Sequence, residues 1–292
     1  MFNAKSVILL FIVGAVIGAA SCREMLDQFH FGSVQTRPSP IGVQGGQVSS
    51  DQGLLTIDFP AGAFSTTTLI GVSRLSAAQL SGPVETLNPV AGWDVAPTGA
   101  QLNLPATVTI HLDLPSGSST GNLSVELPRV VVLRNGTIEF ASMTTVEAHI
   151  AQGSMTVTTE ILQLGRIVVV NPGAGGVQIG FQYPTTISAF GPVPIDATFH
   201  HVGGITDVVW SASSTGNLEI SPFDGMFGPP GIIFDPLGGA QLVEDSFDMD
   251  CGPNGGGGSF SVTLSMSHAH PQNGTPQGIT VFRLLDSLSC SE

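Results

Sequence analysis

Hydrophobic and polar residues alternate with a period of two along most of the chain. In residues 107–114, TVTIHLDL, the apolar positions are Val108, Ile110, Leu112 and Leu114, and Thr, His and Asp occupy the positions between them. This alternation predicts a β-strand with one face in a core and one face in solvent. The same period in LLTIDF, TLIGVSRL, VQIGFQY and SFSVTLSM predicts further strands.

Turn residues separate these strands at short intervals. Asn135-Gly136 lies between two apolar runs, and Gly153 separates another pair, so the sequence predicts two β-hairpins. No segment with a helical period stands between the strands, which favours antiparallel sandwiches over a parallel sheet. The composition agrees, because a chain with 37 Gly, 20 Pro and 10% charged residues has little of the Ala, Leu, Glu and Lys typical of helices. We expect an all-β protein.

The length of 292 residues exceeds what one hydrophobic core usually holds, so two domains are expected. Dense alternation begins near residue 41, and the run NPGAGG at 171–176 is typical of a flexible connection. The sequence therefore predicts two antiparallel β-sandwich domains, at 41–171 and 172–292. Residues 22–40 show no sustained period and are predicted to be a tether.

Residues 1–21 have the features of an export signal. After Lys5, the segment from Val7 to Ala20 is apolar and uncharged, and this segment is too short to span a bilayer comfortably as a helix. Ala19-Ala20-Ser21-Cys22 resembles the bacterial lipobox, in which the cysteine sulfur accepts a diacylglycerol, although the family prefers Leu where Ala19 stands. The resemblance predicts a lipidated Cys22. Ordinary secretory cleavage that leaves Cys22 as a spare thiol is the alternative.

Lipidation of Cys22 would place the protein in the bacterial cell envelope. Arg23, rather than Asp, follows the cysteine, which leaves export to the outer membrane open. We expect an anchor in the outer membrane or at the cell surface. The sequence leaves the choice between inner and outer membrane open.

The chain has three cysteines, and an odd number in an exported protein leaves one to be explained. With Cys22 lipidated, Cys251 and Cys290 remain as one pair for an oxidising compartment, so we expect a structural disulfide between them.

The charge balance disfavours two classes of binding partner. Removal of residues 1–21 takes away Lys5 and none of the 22 acids, so 8 cations become 7 and the side-chain charge becomes 7 − 22 = −15. Nucleic acids and anionic headgroups both require clusters of Lys or Arg, so neither is an expected partner. Attachment to a membrane would come from the lipid.

Three motifs containing Pro or Gly stand beside predicted strands: Gly45-Gly46, Pro60-Ala61-Gly62-Ala63 and Asp94-Val95-Ala96-Pro97. Together with the strands around them, they resemble the start of a ZU-five domain over residues 41–114, with weaker similarity to residue 171. The resemblance implies a β-sandwich that acts as an interaction module, as in animal cytoskeletal and receptor proteins and many bacterial surface lipoproteins. Some relatives cleave themselves at a His-Phe-Ser site. Residues 162–167 read LQLGRI, without the histidine or the serine, so we expect an uncleaved domain.

The second half carries a looser resemblance. Residues 208–230, VVWSASSTGNLEISPFDGMFGPP, resemble bacterial immunoglobulin-like repeats, in which small residues and a glycine follow a tryptophan strand. Trp210 precedes both Cys251 and Cys290, so the Cys, Trp, Cys order of antibody domains is absent.

Two groups of residues are weak candidates for metal ligands. The acidic residues are Glu244, Asp245, Asp248 and Asp250, but they lack the Asp-x-Asp-x-Asp-Gly order of a calcium loop, so we expect a solvated acidic loop. The histidines are His268 and His270, which share a face if they lie on a strand, with His200 or His201 as a further ligand. A third zinc ligand is not evident, and we expect neither a metal nor a cofactor.

The sequence shows no Gly-x-Ser-x-Gly elbow and no phosphate-binding Gly-x-x-x-x-Gly-Lys motif. The run GPNGGGG is predicted to be a flexible hairpin loop. Trp93, Trp210 and Tyr183 are candidates for stacking on sugars or, as is commoner for aromatics in strands, for the core.

We therefore expect a non-enzymatic cell-envelope lipoprotein that acts as a structural, adhesive or protein-binding module. A carbohydrate-binding or cell-wall-binding accessory protein is the alternative, and a hydrolase with an unfamiliar site is less favoured. The sequence identifies neither the protein or glycan partner nor the oligomeric state.

Overall fold

The computed structural model describes residues 37–80, 84–134, 136–171, 177–188, 193–202, 205–221, 240–252, 256–269 and 276–291. In chain order the strands are β1 (Ser39–Ile41), β2 (Gly46–Ser49), β3 (Leu55–Phe59), β4 (Thr68–Arg74), β5 (Pro89–Ala96), β6 (Gln101–Asp113), β7 (Asn122–Glu126), β8 (Arg129–Arg134), β9 (Thr137–Phe140), β10 (Met143–His149), β11 (Ser154–Gln163), β12 (Arg166–Val170), β13 (Val177–Gln182), β14 (Thr186–Ser188), β15 (Val193–Val202), β16 (Ile205–Ser214), β17 (Leu218–Ser221), β18 (Ala240–Cys251), β19 (Gly256–Ala269) and β20 (Pro276–Ser291). The helical elements in these ranges are α1 (Ala77–Leu80) and short 3-10 turns at Asp51–Gly53, Glu85–Leu87 and Ile150–Gln152. The protein is all-β, as the alternation predicts. No helix in the described part of the chain is long and apolar enough to cross a membrane.

The strands form three sheets. The first has six strands in the order β1-β4-β5-β12-β8-β9. The second has nine, in the order β16-β19-β20-β10-β11-β6-β3-β2, with β14 beside β20. The third has five, in the order β17-β18-β15-β13-β7. Neighbouring strands are antiparallel except for the pairs β10–β20 and β14–β20, which are parallel.

Two sheets continue across residue 171, where the sequence predicts a domain boundary. In the nine-stranded sheet, β10 pairs with β20 from Met143 opposite Ile279 to His149 opposite Leu285. In the five-stranded sheet, β7 pairs with β13. The division into 41–171 and 172–292 stays a prediction about units of the chain, and the structure shows that these two halves are joined by backbone hydrogen bonds.

The predicted strands and hairpins are confirmed at several places. Residues 107–113 lie in β6, whose alternate residues Ala106, Val108 and Ile110 are fully buried. The turn at Gly136 joins β8 to β9, and the turn at Gly153 joins β10 to β11. The strand order begins at Ser39, within the last two residues of the predicted tether. Pro40 fits there because β1 is an edge strand, where a missing backbone N–H costs little.

The PAGA segment forms the turn that its composition predicts. Gly62 has a φ of +86°, and the N–H of Ala63 donates to the carbonyl of Pro60 at 3.0 Å. Gly45 packs against the start of this turn so closely that a Cβ atom there would stand 2.3 Å from the carbonyl oxygen of Phe59. A residue without a side chain is therefore needed at position 45.

The glycine run near the C-terminus was predicted to be a flexible loop, and this prediction is wrong for its last three residues. Gly256–Gly258 open β19 and pair with β20. A Cβ atom on Gly258 would stand 2.0 Å from the carbonyl oxygen of Thr215, and one on Gly257 would stand 2.4 Å from that of Leu288. These glycines allow two backbone segments to approach a strand more closely than any side chain permits.

Among the described residues, buried apolar side chains form one main cluster that extends from Ile41 to Leu288. It includes Trp93 from one half of the chain and Phe181 and Phe282 from the other, so the core as well as the sheets crosses residue 171. A second cluster covers the opposite face of the six-stranded sheet beneath α1; its buried members are Leu75, Leu80, Val84, Val131, Leu133, Val168 and Val170.

Candidate functional site: a cavity where three sheets meet

A cavity of about 660 Å³ lies where the three sheets meet. Its walls come from β5 of the six-stranded sheet, β6 and β11 of the nine-stranded sheet and β7 of the five-stranded sheet. The volume falls within the roughly 300–1,000 Å³ that is usual for small-molecule sites.

The floor of the cavity is apolar. It contains the buried side chains of Ala91, Trp93, Val125 and Met155, with the half-buried Leu112 beside them. Strand alternation explains these positions, because Ala91 and Trp93 share the face of β5 that points into the core.

Trp93 lies at the centre of β5, opposite Arg74 of β4 and Ile167 of β12. Only 1% of the residue is exposed, so Trp93 is a core residue that also borders the cavity, and it is not a surface platform for stacking. Its indole Nε1 has no hydrogen-bond partner in the part of the chain that the structure describes. Leaving a buried donor unpaired costs about 1–3 kcal/mol.

Polar groups line the sides of the cavity. They are the guanidinium of Arg74, the imidazole of His111, the carboxylates of Asp113 and Glu126 and the amide of Asn171. His111 and Asp113 are exposed at the end of β6, and His111 Nδ1 lies 3.4 Å from Thr156 Oγ1. This set offers both donors and acceptors around an apolar floor. Sequence reasoning missed it, although His111 and Asp113 were already on the polar face of the predicted strand.

A buried hydrogen bond joins the two ends of the second half. The hydroxyl of Tyr183 donates to Asp286 Oδ2 at 2.6 Å, while the backbone N–H of Ser287 donates to Asp286 Oδ1 at 2.8 Å. The ring of Tyr183 stands edge-on to Phe260, with centroids 5.3 Å apart. Burial, followed by the hydrogen bond to Asp286, raises the pKa of Tyr183 well above its ordinary value. Tyr183 is therefore a core residue with a structural role.

Cys251 and Cys290, the pair predicted from the cysteine count, lie at disulfide distance with their Cα atoms 6.0 Å apart. Cys251 ends β18 and Cys290 lies near the end of β20. The pair links the five-stranded sheet to the nine-stranded sheet.

The predicted acidic loop is wrong in its local structure, because Glu244, Asp245, Asp248 and Asp250 all belong to strand β18. Asp248 is exposed, and Asp250 Oδ1 accepts the N–H of Cys251 at 2.7 Å. The side chains of Glu244 and Asp245 lie outside the described part of the structure.

The histidine candidates are placed only in part. His200 and His201 are in β15 and His268 is in β19, but their side chains are outside the described part, as is the whole of His270. Among the described residues, no group of three or more His, Cys, Asp or Glu could hold a metal ion.

The remaining predicted residues either lie outside the described part of the chain or occupy positions with a structural role. Cys22 precedes the described residues, and Trp210 is in β16 with its side chain not described. Residues 162–167 join β11 to β12, and there Arg166 Nε lies 2.9 Å from Asp94 Oδ1. That the domain is uncleaved stays a prediction.

No protein-family model and no curated protein matches this chain. Among solved structures, the chain is similar to red sea bream transglutaminase, at 7% sequence identity and a TM-score of 0.24, over 67% of this chain and 30% of that one. The chain thus spans less than a third of the transglutaminase. A similarity at this level carries no argument about function, and the ZU-five and immunoglobulin-like resemblances stay predictions.

Proposed function

We propose that this protein is a non-enzymatic lipoprotein of the bacterial cell envelope, whose β-sheet body serves as a structural, adhesive or protein-binding module. The observation that carries the proposal is the continuity of that body. The strands from β1 to β20 are connected by shared sheets, by one main core and by the Cys251–Cys290 pair. A display or binding protein needs a continuous body of this kind.

The anchor would be the acyl groups on Cys22, because the charge of the mature chain does not favour anionic headgroups. Sixteen residues separate Cys22 from Ser39, where the first strand begins. Fully extended, such a tether would reach at most about 55 Å. The body would therefore stay close to the membrane, at the outer membrane or the cell surface.

Intact-mass measurement of the protein from the membrane fraction tests this proposal. We expect the mass of an uncleaved chain that begins at Cys22 and carries the acyl groups. A Cys22→Ser variant is the matched control and should leave the membrane fraction. Release of the wild-type protein from membranes without acyl groups would contradict the proposal, and turnover of peptide, ester or glycoside substrates by the purified protein would overturn its non-enzymatic part.

The second candidate function is a carbohydrate-binding or cell-wall-binding accessory protein. The observation that favours it is the cavity beside Trp93, whose apolar floor and polar sides suit a ligand with both kinds of surface. This function is compatible with the same anchor.

A further inference from the structure

We propose that the cavity between β5, β6, β7 and β11 binds a short neutral saccharide. This inference rests on the second candidate function and gives it a position in the molecule. Three independent features of the cavity define the class of ligand: its charge, the mixture of its lining, and the unpaired indole donor beneath it.

The charge of the lining disfavours anionic ligands. Asp113 and Glu126 place two carboxylates on one cavity, within a strongly acidic protein, so an anionic ligand would be repelled. Arg74 adds one positive charge to the same lining, so the cavity presents charged donors as well as charged acceptors. A neutral ligand with hydroxyl groups can hydrogen-bond to both kinds of group and avoids the repulsion.

The mixed lining disfavours a purely apolar ligand. An acyl chain in this space would remove water from the carboxylates, the imidazole of His111 and the amide of Asn171 without replacing their hydrogen bonds, which is unfavourable. A saccharide presents hydroxyl groups at its rim and a C–H surface on its ring face. Its hydroxyls can donate to Asp113 and Glu126 and accept from Asn171 and Arg74, while its C–H face meets the apolar floor.

Trp93 supplies the third feature. Trp93 lines the cavity, and its buried Nε1–H has no described partner, so a ring or hydroxyl oxygen of the ligand can accept from it after a small movement of the floor. Bound ligand would also change the surroundings of the indole, so Trp93 serves as a reporter. The sequence has only one other tryptophan, Trp210.

The test is a titration of the full chain in a detergent without a sugar headgroup. A Trp210→Phe variant leaves Trp93 as the single tryptophan, and its emission is followed while neutral oligosaccharides of hexoses and N-acetylhexosamines are added. Titration calorimetry on the wild-type protein gives the same information without any substitution. We expect saturable binding of at least one neutral oligosaccharide, and no binding of oligouronates or of decanoate.

Two variants connect the binding to the cavity. Ser124→Phe adds bulk at an exposed lining position of β7 and should abolish binding, and Asp113→Asn should weaken it about tenfold. Asp248→Asn changes an exposed aspartate in β18, away from the cavity, and should leave the affinity unchanged. Each variant is first shown to melt like the wild-type protein.

The inference is overturned if no neutral saccharide binds, if decanoate or an oligouronate binds instead, or if binding survives both Ser124→Phe and Asp113→Asn. These outcomes are independent of the anchor. Failure to find acyl groups on Cys22 would contradict the envelope proposal and leave the cavity result standing, and the reverse also holds.

Discussion

Replacement of Tyr183 by Phe removes one hydroxyl group from the core and leaves the ring in place. That hydroxyl donates to the buried carboxylate of Asp286 at 2.6 Å, and Asp286 is only 6% exposed. The variant keeps the edge-on contact with Phe260, so the measured change in stability reports the hydrogen bond with little contribution from packing.

The expected loss follows from the charge of the acceptor. A hydrogen bond to a charged group contributes about 1.5–3 kcal/mol, and after its removal Asp286 Oδ2 loses its protein donor while Oδ1 keeps the N–H of Ser287. We expect Tyr183→Phe to lower the free energy of unfolding by about 2–3 kcal/mol. For a protein of this size the melting temperature would fall by about 4–12 °C.

The same contact predicts a pH dependence. Because the pKa of Tyr183 is raised in the folded state, the folded protein keeps this proton at pH values where the unfolded chain releases it. The stability from this group is complete below the ordinary tyrosine pKa of about 10 and is lost as the pH rises above it. Tyr183→Phe should remove that alkaline loss.

Denaturant unfolding followed by circular dichroism, at neutral and alkaline pH, measures both effects. Tyr183 is the only tyrosine in the sequence, so the near-ultraviolet absorbance of tyrosinate follows its ionisation directly. Asp58→Asn, at an exposed position of β3, is the control and should change stability by less than about 0.5 kcal/mol. A Tyr183→Phe variant as stable as the wild-type protein, or ionisation of Tyr183 at its ordinary pKa in the folded state, would refute this reasoning.

Two further predictions concern the packing of the second half. Gly258→Ala should destabilise the protein by about 3 kcal/mol or more in denaturant unfolding, because its Cβ atom would stand 2.0 Å from a backbone oxygen. Gly71→Ala is the control and should change stability by less than about 1 kcal/mol, because the nearest neighbour of its Cβ atom is 3.9 Å away. Equal effects of the two substitutions would contradict the close approach at Gly258. Reduction of the Cys251–Cys290 pair, whose sequence separation is 39, should lower the free energy of unfolding by about 4 kcal/mol, and an unchanged unfolding midpoint in reductant would argue against that link.

The local sequence was sufficient to predict many of the strands, because alternation depends only on which face of a strand is buried. In β13 and β19 the predicted inward residues are buried, and in β6 Val108 and Ile110 are buried while Leu112 is half-buried. The acidic residues of β18 predict a loop by their charge, whereas the strand period shows in Met249, which is buried between Asp248 and Asp250.

Tertiary features could not be obtained in this way. The glycines that begin β19 have loop propensity, and only the approach of Thr215 and Leu288 explains why they form a strand. The pairing of β10 with β20 joins residues 136 positions apart, and no local signal specifies it. The cavity depends on three sheets meeting, so its lining residues had no recognisable spacing in the sequence.

The central position of β20 has a consequence for how this protein is made. β20 lies between β19 and β10, yet it follows every other strand of that sheet along the sequence. During synthesis or passage through an export channel, the edge of β10 that pairs with β20 would therefore stay unpaired until β20 emerges. Such an edge is a template for mispairing, so we expect a newly made chain to need a holding chaperone over this interval.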